Sequence, residues 1–258
     1  MDRSYDGAVV VVTGASTGLG RAIAVGAAQR GARAVVINFA SSSAEAEITA
    51  SQVREAGAEA VLAQGDVGRD EVCRAVAQAA APYGRIDALF NNAGITRPSP
   101  YDDLDGLSGD DFLDIYRVNV VGPYQMTRAA RALLEASDRA AVVNTSSVAG
   151  VTGGGSSIAY SASKGALNTM TRSLAYALAP KIRVNTICPG FIDSPWFDKV
   201  GIDTAALRDY IVQTNPLKVA SLPEDVAEGA LFFGSRASRH TTGETLLIDA
   251  GLHLGKMP

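Results

Sequence analysis

Strand-length apolar runs that alternate with longer segments of helical period predict an α/β fold. It is doubly wound, with a predominantly parallel seven-stranded sheet and helices on both faces. Two further features agree. The runs are apolar throughout rather than at every second residue, as strands covered on both faces require. The first run also passes directly into a glycine-rich turn, GASTGLG at 14–20.

Taken in order, the strands are expected at 8–12 (AVVVV), 34–39 (AVVINF), 60–64, 86–90 (IDALF), 140–145 (AAVVNT), 182–187 (IRVNTI) and 245–249 (TLLID). Helices are expected near 18–30, 43–56, 69–81, 110–136, 158–179 and 223–234. Gly31 and Gly57 stand where the first two helices should stop, the place for a C-terminal glycine cap. Pro223, Glu224 and Asp225 suit a first turn, where proline loses no bond and acids face the helix dipole. Only 150–157 (GVTGGGSS) and 191–216 read as long irregular segments. No linker, repeat or low-complexity tract divides the chain, so one domain spanning 1–258 is expected.

A chain of 258 residues, 47% hydrophobic, can bury one sizeable core. Its formal charge of −4 and scattered basic residues argue against nucleic acid or an anionic membrane as partner. Cys73 and Cys188 lie far apart and form no metal-ligand pattern, so no metal site and a reducing, cytoplasmic compartment are expected. The polar start MDRSYDG lacks the apolar core of a signal peptide, and no apolar run approaches bilayer length.

The glycines of the first turn are Gly14, Gly18 and Gly20, spaced G-x-x-x-G-x-G rather than the usual G-x-G-x-x-G. In a doubly wound sheet this turn meets the crevice where nucleotides bind, and bare backbone at a helix N-terminus suits a pyrophosphate. Further along the chain come Asp66-Val67 after the third strand, NNAG at 91–94, Asn119 in VNVVGP and Ser147 in NTSSVAG. Tyr160 and Lys164 follow in YSASK, then CPG at 188–190 and IDAG at 248–251. With Thr13 leading the turn, this ordered set resembles the short-chain dehydrogenase/reductase family over nearly the whole chain.

The resemblance implies a Rossmann-type fold, a nicotinamide dinucleotide and hydride transfer to or from an alcohol or ketone carbon. It places Gly14, Ser16, Thr17, Gly18, Leu19 and Gly20 around the pyrophosphate, with Asp66 and Val67 at the adenine. Asn92, Ala93 and Gly94 lie by the adenosine ribose, with Asn91 near the strand end; Asn92 equally suits a structural role. Pro189, Gly190, Ile192 and Ser194 lie by the nicotinamide carboxamide, and Tyr160 and Lys164 touch the cofactor as well as carrying the catalysis. Asn119 is the helix-distorting residue whose carbonyl holds a relay water. Trp196 opens a substrate lid near 191–216, or else packs in the core. A homotetramer, built through the helix bearing Tyr160 and the C-terminal segment, is also implied.

The chemistry is legible in the residues themselves. Tyr160 and Lys164, four apart in a helical pattern, share one face. A free phenol ionises near pH 10, and a neighbouring ammonium favours the phenolate, as would the positive nicotinamide of an oxidised cofactor. Bringing the phenol to neutrality needs roughly 4 kcal/mol, within reach of two cations in a partly dry site. Tyr160 would then exchange a proton with the substrate oxygen. Ser147 is thirteen residues before Tyr160, the family separation, and would orient that oxygen; Ser146 is the neighbouring alternative. A Ser-His-Asp hydrolase fits poorly, since His240 and His253 are the only histidines and no G-x-S-x-G is present.

The choice of cofactor turns on the end of the second strand. NAD-preferring relatives carry an acid there that repels a 2′-phosphate, whereas this chain reads Ile37-Asn38-Phe39-Ala40-Ser41-Ser42. Thr17 stands where NADP-users often carry a cation. Asn38, Ser41 and Ser42 offer neutral donors, so NADP(H) is expected over NAD(H) by a modest factor, and Asn38→Asp is expected to reverse the preference. The alternative reading is a dinucleotide-sensing protein of the same fold without catalysis, which has no need of the Tyr–Lys pair.

Overall fold

The computed structural model describes residues 2–255. Position 1 and positions 256–258 of the expected domain lie outside the described residues. The strands are β1 (Val9–Val12), β2 (Ala34–Phe39), β3 (Glu59–Gln64), β4 (Ala88–Asn91), β5 (Ala141–Thr145), β6 (Arg183–Pro189) and β7 (Thr245–Ile248). The helices are α1 (Gly18–Gln29), α2 (Ser43–Glu55), α3 (Asp70–Gln78), α4 (Gly109–Tyr116), α5 (Gly122–Glu135), α6 (Ala149–Thr152), α7 (Ile158–Leu178), α8 (Thr204–Thr214) and α9 (Pro223–Gly234).

The sheet runs β3-β2-β1-β4-β5-β6-β7, and every neighbouring pair is parallel. The chain winds outward from β1 to β3, then returns to lay β4 against the other edge of β1. The crevice therefore opens where the C-terminal ends of β1 and β4 diverge. Successive residues of β1 face opposite sides. Val10 and Val12 pack with Ile23 and Ala27 of α1 and Leu231 of α9, whereas Val9 and Val11 pack with Val76 of α3 and Met126 of α5. An uninterrupted valine run thus serves two cores at once. Gly31 and Gly57 adopt φ of +93° and +95° where α1 and α2 end, and the Asp225 carboxylate accepts the Leu222 N–H at 2.8 Å at the head of α9.

Three segments depart from the expected pattern, the least of them 150–157, whose first residues belong to the short α6. The helix expected over 110–136 is interrupted by a π-helical turn at Arg117–Val121. Pro123, four residues after Asn119, has no N–H, so the Asn119 carbonyl loses the donor an α-helix would provide. The Asn119 side chain holds the wide turn in place. Its Oδ1 accepts the Ile95 N–H at 2.9 Å, and its Nδ2 donates to the Ile95 carbonyl at 2.9 Å. The region 191–216 is not irregular throughout, because it contains α8. Asp203 caps that helix by accepting the Ala206 N–H at 3.0 Å, and Leu207 and Ile211 recur at helical spacing. No described helix is long and apolar enough to cross a membrane.

Candidate active site

The turn after β1 is locked to the end of β4. The Thr13 hydroxyl accepts the N–H groups of Asn92 and Ala93 at 2.9 and 3.0 Å. In return, Asn92 Nδ2 donates to the carbonyls of Thr13 and Gly14 at 3.1 Å each. The three glycines divide their duties. A Cβ on Gly20 would lie 2.3 Å from the Gly14 carbonyl oxygen, and one on Gly14 would lie 2.8 Å from Ala93 Cα. Both are required by packing. Gly18, at φ +54°, borders the cavity, and a Cβ there would meet only Ser194 at ordinary contact distance, 3.5 Å, so no packing demands the glycine and its backbone faces the space beyond.

That space is a cavity of about 1000 Å³, running along the C-terminal edge of the sheet. Every residue expected to hold cofactor or substrate borders it. The bare turn at the head of α1 and the cavity's extent fit a dinucleotide. Asn119 lies behind the wall, with 0% exposure. Arg117 also borders the cavity, and sequence reasoning missed it. It bonds the Asp66 carboxylate at 2.7 Å, while Asp66 also accepts the Gly68 N–H at 2.8 Å. Burial would raise the Asp66 pKa, but Arg117 and the Gly68 N–H outweigh it and hold the carboxyl below its usual range.

Asn38 requires a correction. Its side chain does not point donors at a ligand, because Nδ2 donates to the carbonyls of Ala63 and Gly65, each at 3.0 Å. Its Oδ1 accepts the Gly14 N–H at 3.3 Å. Asn38 therefore ties the glycine turn to the end of β3. The groups left facing the cavity at this corner belong to Ala40, Ser41 and Ser42, and Ser42 at the head of α2 makes no capping bond with its hydroxyl.

At the other end, α7 begins with Ser157 accepting the Tyr160 N–H at 3.3 Å and carries Lys164 one turn further on. Lys164 Nζ donates to the Thr145 carbonyl at 2.8 Å and lies 5.6 Å from the centre of the Tyr160 ring. Burial lowers the Lys164 pKa to about 8. Burial also raises the Tyr160 pKa to about 12, with the Ser147 hydroxyl pulling the other way. The downward shift expected from the ammonium is not seen: desolvation dominates, and the phenol stays protonated at neutral pH. Both serines border the cavity, but the Ser146 hydroxyl is committed to the Lys164 carbonyl at 2.9 Å, whereas the Ser147 hydroxyl is the one that acts on Tyr160. Gly94 leaves room between Asn119 Oδ1 and Lys164 Nζ, since a Cβ there would be 3.4 Å from each.

Residues 14–253 match the family described as enoyl-(acyl carrier protein) reductase. The chain is 40% identical to a protein named as ketoacyl reductase 2 of the granaticin polyketide synthase of Streptomyces violaceoruber, covering 95% of this chain and 96% of that one. It is 32% identical to an L-rhamnose 1-dehydrogenase (NAD(P)(+)) of a Sphingomonas species, over 96% of this chain and 97% of that one. A crystal structure described as a short-chain dehydrogenase/reductase from Burkholderia xenovorans superposes with a TM-score of 0.88 at 42% identity, covering 96% of this chain and 98% of that one. The chain belongs to the short-chain dehydrogenase/reductase family. It is an NAD(P)-dependent oxidoreductase acting between an alcohol and a ketone carbon.

The commitments of Asn38 change what an acid there would do. Asn38→Asp removes both donors to the Ala63 and Gly65 carbonyls, and we expect it to lower stability by about 1–3 kcal/mol. Urea unfolding of the variant checks this. Affinity for NADH and NADPH should fall together, in contrast to the reversal that an acid facing the ribose would produce.

Proposed function

We propose that Tyr160 is the general acid and base of this oxidoreductase. The observation that carries the reading is a half-buried phenol one helical turn from a buried ammonium, both bordering the cavity that the bared glycine turn also lines. When bound, the nicotinamide supplies or accepts the hydride. Tyr160 passes its proton to the carbonyl oxygen during reduction, and Ser147 orients that oxygen through its hydroxyl. Lys164 offsets the negative charge left on the phenolate, at a site where low polarity strengthens the attraction. Asn119 positions the strand end beside Lys164, through its bonds to Ile95.

NADP(H) is the preferred cofactor in this reading. The adenosine corner presents Ser41, Ser42 and the N-terminus of α2, with no acid at 38–42 to repel a 2′-phosphate. Segment 191–216 is the substrate cover. A homotetramer is supported by apolar residues left open on the surfaces the family uses, with Tyr176 of α7 91% exposed and Leu254 63% exposed.

Tyr160→Phe is expected to lower turnover by at least about 10²-fold, the low end for a lost general acid, with the dissociation constant for NADPH nearly unchanged. Steady-state kinetics with fluorescence titration measure both, and retention of more than a tenth of turnover would remove Tyr160 from the role. The same titration on the unaltered protein should find NADPH bound about 10–100-fold more tightly than NADH, a difference of about 1.4–2.8 kcal/mol. Tighter NADH binding would overturn the preference.

A further inference from the structure

We infer that the substrate end of the cavity selects a bulky, uncharged, apolar ketone over a sugar or other polyhydroxy compound. The inference rests on the oxidoreductase reading above and adds the substrate class to it. The Tyr160 ring is flanked by Trp196, with centroids 6.1 Å apart. Trp196 meets Phe197 edge-on at 5.0 Å, and Phe197 stacks on Phe191 at 5.1 Å. An aromatic wall therefore begins at the reacting hydroxyl.

Helix α8 extends that wall with Leu207 and Ile211, which share one helical face and both border the cavity. The helix is anchored to the segment that follows β6, because Arg208 grips the Asp193 carboxylate with bonds of 2.7 and 2.9 Å. The bidentate geometry fixes orientation as well as distance.

A second part of the lining is bare. Gly154 and Gly155 border the cavity, and a Cβ on Gly155 would lie 3.4 Å from the Tyr160 ring and 2.7 Å from Ala149 Cβ. The glycine loop is braced rather than loose. The Tyr101 hydroxyl accepts the Gly155 N–H at 2.7 Å and lies 2.7 Å from the Gly153 carbonyl, and the Ser156 hydroxyl is tied to Thr96 at 2.6 Å. Width beside Tyr160 is thus built in.

Among the described residues, the charged groups of the whole lining are Asp66, Arg117 and Lys164. The first two pair with each other at the adenosine end, and Lys164 is bonded to Thr145. The aromatic end offers few hydroxyls, those of Tyr160, Ser147 and Tyr210 among them, so a polyol entering it would surrender water at most of its hydroxyls for apolar neighbours, while a hydrocarbon ring loses nothing there.

Trp196 is the only tryptophan of the chain, so its emission reports this end of the cavity directly. The test titrates the full protein, with and without saturating NADP⁺, with trans-1-decalone and with D-fructose, a polyhydroxy ketose of similar size. The expected result is quenching or enhancement by decalone with a dissociation constant at least about 100-fold below that for fructose. Leu207→Gln should weaken decalone about tenfold and leave NADP⁺ binding unchanged. Fructose binding as tightly as decalone, or decalone binding indifferent to Leu207→Gln, overturns the apolar class.

A separate arm measures turnover with NADPH. The carbonyl carbon takes the hydride as NADPH becomes NADP⁺, and the oxygen takes the Tyr160 proton, which solvent replaces. Decalone that binds tightly and is not reduced contradicts the catalytic reading while leaving the apolar site standing. Fructose reduced in preference to decalone contradicts the apolar site while leaving the oxidoreductase intact.

Discussion

A lysine side chain buried to 3% exposure is the constraint on which the site depends. Removing an ammonium from water is expensive, and here the compensation includes one backbone carbonyl, that of Thr145 at the end of β5. To reach it, α7 must cross tightly over the strand end. Ser146 bonds the Lys164 carbonyl at 2.9 Å, and a Cβ on Gly150 would lie 2.6 Å from the Lys164 carbonyl carbon. With the backbone of Lys164 held this closely, Tyr160 one turn earlier has little freedom. The same burial that costs stability shifts both titratable groups, the phenol up and the amine down.

The scaffold and the cover are built by different physics. From the glycine turn to Lys164, positions are set by backbone contacts that tolerate no added atom, such as Gly20 against Gly14 and Gly14 against Ala93. Around α8, they are set by apolar and aromatic packing plus one ion pair, which many side chains of similar volume can satisfy. Substitutions around α8 can therefore be accommodated without disturbing the backbone contacts beneath it.

This division also explains what could be read from the sequence. The inner strands were legible because each carries a run buried on both faces, while the edge strands β3 and β7 are partly exposed and showed only as short apolar runs. The glycine turn was legible because a Cβ fits neither Gly14 nor Gly20. The Tyr–Lys pair was legible from helical spacing together with the ordered motifs around it. The helix break at Arg117–Val121 had a signal in Pro123, which sits where the donor to the Asn119 carbonyl should be. Helix α8 had one in its Asp203 cap, masked by the expectation of an irregular cover. Asn38 carried no such signal, because its partners are carbonyls of Ala63 and Gly65, distant in sequence and brought near only by the β2–β3 pairing. Arg117 was hidden for the same reason, its role depending on Asp66 across the sheet edge.

The most direct test of the account is the titration of the lysine side chains by NMR of their Cε and Nζ resonances. The chain has five lysines, so the signals are few, and Lys164→Met assigns the one in question. The account predicts that the resonance missing from Lys164→Met titrates near pH 8 in the unaltered protein, well below the ordinary lysine value of about 10.4. Titration of that resonance above pH 10 would show a solvated ammonium and contradict the buried lysine on which the catalytic reading stands.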